Sequence, residues 1–180
     1  MRSSLSSYLS DLPPGSSLLN PPVNSRLYIY NGVALTISMS LPLEVAVVQH
    51  NPTVGDVSGN YTQISEAYTT ASDAGVDLVV APELALLGYP PRDILHRQSV
   101  RDAEQAALDE LRRATGGGPA LILGHTAAST RESGPPLMNS ATAFSDGEAV
   151  ARYDKRLLPT YDIFDEHRYF EPGTEPVTVE

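Results

Sequence analysis

The stretch Val76–Glu83, VDLVVAPE, is the part of the sequence on which the fold prediction depends. Its valine-rich centre is typical of a strand buried inside a sheet. Gly75 stops the element before it, and Pro82 ends the strand, which is therefore predicted over Val76–Ala81. Glu83 then falls at the carboxyl end of a strand, where open α/β sheets place their ligands.

Strands and helices alternate on both sides of this stretch. Strands are predicted at Glu44–Gln49 and Ala120–His125. The first helix is predicted from a cap at Asp56 or Ser58 to about Ala74. The second helix is predicted from a capping box at Ser99 and Asp102 to about Ala114. Their buried faces are expected to carry Tyr61, Ile64, Tyr68 and Ala71 in the first helix, and Val100, Ala103, Ala107, Leu111 and Ala114 in the second. This alternation predicts the α/β fold class.

A hairpin is predicted next, with arms at Met138–Phe144 and Glu148–Tyr153 and a turn at Asp146–Gly147. It delivers Lys155, the only lysine in a chain with eleven arginines. An ammonium is a compact point charge, which suits the stabilisation of a single oxyanion better than a planar guanidinium does. The alternative is a surface lysine that merely follows a strand.

Two further features are candidate site components. The run Thr160–Phe170, TYDIFDEHRYF, mixes rings with carboxylates, so Tyr161, Phe164, Glu166 and Tyr169 are candidates to line a substrate cavity. The alternative is a loop whose rings pack on the core while its acids face water. Glu83 is a candidate general base, although its position alone favours a carboxylate that caps or solvates a loop.

Composition excludes several functional classes. The formal net charge of −10 argues against a nucleic-acid binder and against docking to an anionic membrane. The 180 residues contain no cysteine, which excludes disulfides, thiolate metal sites and a cysteine nucleophile within them. No run approaches the roughly 20 apolar residues of a membrane span. A cytoplasmic location is expected. Residues 1–40, rich in serine and proline, are predicted to be a disordered tail, with Met39 as the natural start and residues 1–38 added by a misassigned upstream codon.

From about Leu43 to the end, the chain resembles the carbon–nitrogen hydrolase (nitrilase) superfamily. Four segments carry the resemblance: VAVVQHNPTVGDVSGN (45–60), DLVVAPELALLGYPPRD (77–93), NSATAFSDGEAVARYDKRLLP (139–159) and YDIFDEHRYFEPG (161–173). The FDEHRYF run indicates one branch, the N-terminal glutaminase domain of glutamine-dependent NAD synthetases. Residues 41–180 then form the N-terminal portion of such a domain.

The resemblance implies a Glu–Lys–Cys triad that hydrolyses glutamine to glutamate and ammonia. Glu83 matches its general base, and Lys155 matches the lysine that stabilises the oxyanion. Tyr89, Tyr161 and Glu166 match positions that shape the glutamine pocket. It also implies a homo-oligomer, and a synthetase domain that uses ATP and deamido-NAD, with no cofactor in these residues.

The sequence departs from the family pattern in one respect. The family's cysteine follows the FEPG segment, whereas these residues end at Glu180 and contain no cysteine. The expectation is therefore a fragment, the first half of an αββα sandwich, which is inactive alone and has one sheet face uncovered. The alternatives are another amidase of the superfamily and a non-catalytic remnant.

Overall fold

A computed structural model describes residues 43–129, 134–162 and 164–179. The tail predicted at residues 1–40 and the proposed start at Met39 lie outside the described residues. The elements are β1 (Val45–Val47), α1 (Val57–Asp73), β2 (Leu78–Val80), α2 (Gln98–Ala114), β3 (Ala120–Ala128), β4 (Leu137–Ser145) and β5 (Glu148–Asp154), with short 3-10 helices at Arg92–His96 and Glu166–Arg168.

The strands of the described residues form one sheet in the order β1-β2-β3-β4-β5. β1, β2 and β3 are parallel, whereas β4 and β5 continue the sheet antiparallel. Parallel neighbours need a crossover, which α1 and α2 provide, while β4 and β5 are joined by a tight turn. The α/β prediction is therefore confirmed.

The N-cap of α1 is Asp56, one of the two predicted cap residues, whose carboxylate accepts a hydrogen bond from the Gly59 N–H at 3.0 Å. Ile64, Tyr68 and Ala71 are buried on its inner face, as expected, while Tyr61 is only partly buried. Asn60, for which the sequence predicted no buried position, is fully buried. Its amide donates to the backbone oxygens of Thr53 and Leu86, and this satisfies the buried polar group.

α2 corrects two predictions. It begins at Gln98 after an N-cap, Arg97, that makes no side-chain cap bond, so the predicted capping box at Ser99 and Asp102 is wrong. Asp102 instead accepts a hydrogen bond from the Gln98 side chain at 2.7 Å.

The buried stripe of α2 was also misplaced in part. Ala107 and Leu111 are buried as predicted, but Ala103 and Ala114 are exposed. Glu104 and Leu108 take their places on the inner face. The reason is that Glu104 has a partner in the sheet, so the helix buries this carboxylate and leaves the neighbouring Ala103 exposed.

Glu104 is 2% exposed and accepts hydrogen bonds from the backbone N–H of Thr126, at 3.0 Å, and from the Thr126 hydroxyl. Burial raises the pKa of Glu104 to about 7, against these two hydrogen bonds, which lower it. The folded chain therefore keeps a proton that the unfolded chain loses near its ordinary value of 4.5. Stability is greatest below that value and falls as pH rises towards about 7.

Glu104→Gln is expected to flatten this fall, because an amide does not ionise. Its oxygen can accept from the Thr126 N–H, and its NH2 group can donate to the Thr126 hydroxyl. The gain at about pH 8 relative to about pH 5 is at most roughly 3 kcal/mol. Urea unfolding at the two pH values measures it, with Glu110→Gln on the exposed side of α2 as the control. An unchanged pH slope in Glu104→Gln would contradict the prediction.

The hairpin prediction is confirmed. Asp146 and Gly147 both adopt positive φ, 51° and 80°, as a two-residue turn between right-twisted strands requires. The turn is attached to the end of α2: Arg112 donates to the Gly147 carbonyl, and the Gly147 N–H donates to the Thr115 hydroxyl at 3.0 Å. α2 therefore fixes the hairpin that leads to Lys155.

The two faces of the sheet differ in burial. Val79, Leu121 and Leu123 lie on the face packed against the helices and are fully buried. The residues that alternate with them remain partly exposed: Val45, Val47, Leu78, Val80, Ala120 and Ile122. We call this apolar row the open face.

The open face is expected to make the 180-residue chain bind the dye ANS and self-associate as concentration rises. Replacing Val47, Val80 and Ile122 together by threonine preserves the β-branched shape and adds a hydroxyl. We expect at least a roughly twofold fall in dye fluorescence. Val177→Thr, at an exposed site outside the sheet, is the control. Equal fluorescence in both variants would contradict the assignment of this face.

Neither α1 nor α2 combines the length and the apolar character that crossing a membrane requires, and no other helix in the described part of the chain does.

Candidate active site

The loop after β2 carries Glu83 across β3 at Gly124. The Ala85 N–H donates to the Gly124 carbonyl at 2.9 Å, which anchors the loop to the strand. A side chain at position 124 would lie 2.5 Å from the Pro82 oxygen and 2.6 Å from the Glu83 Cα. Glycine at this position therefore permits the close backbone approach that places Glu83 over the sheet. Leu84 to Leu87, which follow, are fully buried.

Lys155 follows β5 directly and is held through its backbone. Its N–H donates to the Asn139 carbonyl at 2.8 Å, and its carbonyl accepts from the Gly173 N–H at 3.0 Å. The strand on one side and the C-terminal segment on the other therefore determine where the lysine side chain starts.

The Lys155 ammonium bridges two carboxylates that are distant in sequence. Its Nζ lies 2.8 Å from Oε1 of Glu83 and 3.0 Å from Oε1 of Glu166. Asn139 also donates to Oε1 of Glu83, from Nδ2 at 2.5 Å. Glu83 is 45% exposed, whereas Glu166 is 4% exposed, so one carboxylate faces solvent and the other is enclosed.

Tyr89 completes the group by donating from its hydroxyl to Oε1 of Glu166 at 2.8 Å. Burial raises the pKa of Tyr89, and the hydrogen bond and charge of Glu166 raise it further, so the phenol stays a donor. Oε2 of Glu166 is buried and has no hydrogen-bond partner among the described residues. The two oxygens of Glu166 are thus inequivalent.

Two opposing effects act on the pKa of Lys155. Burial lowers it, but the hydrogen bonds and negative charges of Glu83 and Glu166 outweigh burial, and the net direction is upward. The lysine is therefore a cation at neutral pH. Since an ammonium has three N–H donors and two of them point to carboxylates, one donor remains for another oxygen.

Of the five site residues that the resemblance matched, the structure brings four together, and Tyr161 is the exception. Glu83, Lys155, Tyr89 and Glu166 share a hydrogen-bonded cluster. Tyr161 is 69% exposed, and its only recorded ring contact in the described residues is with Phe164, 5.5 Å between centroids. Phe164 in turn lies 6.0 Å from Tyr89, so Tyr161 packs on Phe164 at the edge of the cluster.

Sequence reasoning did not single out Asn139. Asn139 lies between Met138 and Ser140 on a strand, and an asparagine there has no distinctive signal, because polar and apolar side chains alternate in any half-buried sheet. Its two contacts, one to Glu83 and one to the Lys155 backbone, join residues separated by 56 and 16 positions and exist only in the folded chain.

A cavity of about 300 Å³ adjoins the cluster and is lined by residues that include Tyr89, Phe164, Glu166 and Tyr169. The structure therefore places three of the four predicted lining residues there, and Tyr161 is not among them. A larger cavity of about 760 Å³ lies between β1 and α1 and contains none of the cluster. Size alone does not identify the site.

The fold and the cluster define an α/β protein in which a lysine is held between two carboxylates. One of these carboxylates, Glu83, follows the carboxyl end of the parallel strand β2. The family model for carbon–nitrogen hydrolases matches residues 44–180. The chain belongs to this family.

Curated relatives include glutamine-dependent NAD(+) synthetases. The one from Thermotoga maritima is 39% identical over 138 residues, which cover 76% of this chain and 23% of the relative. The one from Synechocystis sp. is 37% identical over 129 residues, 70% of this chain and 23% of the relative. The chain thus spans about a quarter of the length of the curated relatives it matches.

Solved structures agree with this assignment. A glutamine-dependent NAD+ synthetase from Acinetobacter baumannii has a TM-score of 0.69 and 30% identity, with 77% of this chain and 25% of that chain covered. An amidase from Nesterenkonia sp. has a TM-score of 0.61 and 28% identity, with 74% and 49% covered.

Proposed function

We propose that residues 41–180 are the N-terminal portion of a glutamine amidohydrolase domain, whose ammonia amidates deamido-NAD in an ATP-dependent synthetase. One observation carries the proposal: Lys155 lies within hydrogen-bond distance of both Glu83 and Glu166, with Tyr89 fixing the second carboxylate. The identity to NAD(+) synthetases supports the choice of glutamine as substrate.

The residues would divide the chemistry as follows. Glu83, half-exposed beside the ammonium, takes the proton of a thiol nucleophile. The thiolate attacks the amide carbon, and the free N–H of Lys155 donates to the oxygen that becomes negatively charged. Glu83 returns the proton to the amide nitrogen, which leaves as ammonia, and water then hydrolyses the thioester to glutamate and restores the thiol.

Tyr89, Tyr161 and Glu166 would hold the substrate. Glu166 offers an enclosed carboxylate oxygen, Oε2, to a donor such as an ammonium group. The exposed ring of Tyr161 would close over the substrate from the side of Phe164. Of these assignments, that of Tyr161 depends most on the resemblance, because the ring lies outside the hydrogen-bonded cluster.

The nucleophile lies outside these 180 residues, which contain no cysteine. We therefore propose that they do not release ammonia by themselves and act with a cysteine-bearing segment that covers the open face. ATP and deamido-NAD belong to a synthetase domain, and no residue here is assigned to them. A cytoplasmic homo-oligomer completes the proposal, with no role for nucleic acid or membrane.

A hybrid enzyme tests the function. The matching segment of the Thermotoga maritima relative is replaced by residues 44–180 of this chain. We expect the hybrid to release ammonia from glutamine and to form NAD, and the 180-residue chain to release none. Ammonia release by the chain alone would contradict inactivity.

Two other outcomes separate the alternatives. A folded hybrid that hydrolyses other amides but not glutamine would favour a different amidase, an alternative that the Nesterenkonia structure keeps open. A folded hybrid that hydrolyses no amide would favour a non-catalytic remnant.

A further inference from the structure

Asn139 hydrogen-bonds to the proposed base and has no role in the proposed chemistry so far. It lies in β4, is 3% exposed, and donates from Nδ2 to Oε1 of Glu83 at 2.5 Å. Its backbone carbonyl accepts from the Lys155 N–H at 2.8 Å. One residue therefore holds both halves of the ion pair, the first through its side chain and the second through its backbone.

The strand supplies this residue at a fixed place. Asn139 is the register partner of Thr126 across β3 and β4. Side chains of paired residues lie on the same face of a sheet. Gly124, two positions before Thr126, lies on that face too, and there the Glu83 backbone crosses the strand. Asn139 and Glu83 are therefore brought together by the register of a rigid strand pair.

The chemistry of an amide suits this position. A carboxamide does not titrate, so it donates a hydrogen bond whether its neighbours are charged or neutral. Oε1 of Glu83 receives this donor as well as the Lys155 ammonium. Oε2 is then the oxygen free of both donors.

We propose that Asn139 is a positioning residue of this site: it holds Oε1 of Glu83 against Lys155, so that Oε2 carries the proton in catalysis. The part of this inference that concerns catalysis rests on the proposed function. The positioning itself is a property of the folded chain and is measured without any activity.

Lys155 is its own probe, because it is the only lysine among the 180 residues. In the chain labelled with ¹³C and ¹⁵N lysine, the side-chain signal reports one ammonium group, and its pH titration gives the pKa directly. Glu83 contributes to the elevation of this pKa, so loss of the correct placement of Glu83 lowers it.

Asn139→Ala is expected to lower the pKa of Lys155, because the Glu83 carboxylate is no longer held beside the ammonium. Ser140→Ala is the matched control: Ser140 is the next residue of β4, is equally buried, and also loses a hydrogen bond to a carboxylate, that of Asp154. It is expected to leave the Lys155 titration unchanged. A Lys155 pKa that is unchanged in Asn139→Ala, or lowered equally in both variants, would overturn the proposal.

A double variant tests whether the effect passes through Glu83. With Glu83→Gln in place, Asn139→Ala is expected to cause no further fall in the Lys155 pKa. Additive falls would overturn the proposal, since they would mean that Asn139 acts on Lys155 directly.

The chemical shift of the Asn139 side-chain amide tests the proposal with Asn139 itself left in place. In the unaltered chain, an Nδ2 proton of Asn139 is expected to shift upfield when acid protonates Glu83, because the hydrogen bond to a neutral carboxyl is weaker. Glu83→Gln should abolish this shift. An acid-independent Asn139 signal would overturn the proposal even if Asn139→Ala does not fold.

The two proposals fail separately. An inactive hybrid together with a lowered Lys155 pKa in Asn139→Ala would reject the function and retain the positioning. An active hybrid together with an unaffected Lys155 pKa would do the reverse.

Discussion

Replacing Glu83 by glutamine in the hybrid enzyme is expected to lower ammonia release by about 100- to 10,000-fold. Glutamine matches glutamate in shape and still accepts hydrogen bonds from Asn139 and Lys155 through its carbonyl oxygen. It cannot take a proton from a thiol, so the loss should fall on kcat, with KM little changed.

The result is checked by steady-state assays of ammonia release at several glutamine concentrations. Glu148→Gln, at an exposed position on β5, removes a carboxylate of the same kind outside the cluster and is the control. A Glu83→Gln hybrid that keeps activity within about tenfold of the parent would reject Glu83 as the base.

Gly124→Ala is expected to disturb both the fold and the site. The added methyl carbon would lie 2.5 Å from the Pro82 oxygen, 2.6 Å from the Glu83 Cα and 2.9 Å from the Leu84 nitrogen. All three are backbone atoms, which cannot turn aside as a flexible side chain can. Overpacking of this kind costs about 1–3 kcal/mol, and the backbone of Glu83 must move away from the strand.

Two measurements follow this displacement. Urea unfolding should show the loss of stability, and the Lys155 titration should show a lower pKa because Glu83 has left the ammonium. Gly116→Ala is the control, since a methyl group there would meet only the Arg113 oxygen at 3.2 Å. A Gly124→Ala chain with parental stability and a parental Lys155 pKa would show that the loop adapts without cost.

Most of the fold could be predicted because each element has a local cause. Apolar runs marked the three parallel strands, Asp56 marked the start of α1, and Asp146–Gly147 marked the hairpin turn. The buried face of α2 was predicted wrongly because a contact outside the helix decides it. Glu104 is buried because Thr126 offers it two hydrogen-bond donors. No pattern within the helix itself reveals that partner.

The site divides in the same way. Glu83 and Lys155 stood out in sequence, one for its place after a strand and the other as the only lysine. Asn139 did not, since its role depends on the register of β3 against β4. Tyr161, selected both from the aromatic and acidic run and by resemblance, lies mostly in solvent in the described structure.

The order of strands and helices, the turn that delivers Lys155, and the two residue types proposed to do the chemistry could all be inferred from local patterns in the chain. These follow from short-range propensity and periodicity, which adjacent residues are enough to specify. The folded structure was needed to show that Lys155 lies between Glu83 and Glu166, 72 and 11 positions away, and that Asn139 joins Glu83 to Lys155. Such contacts depend on strand register and on the close backbone approach at Gly124, which arise only when distant segments pack together.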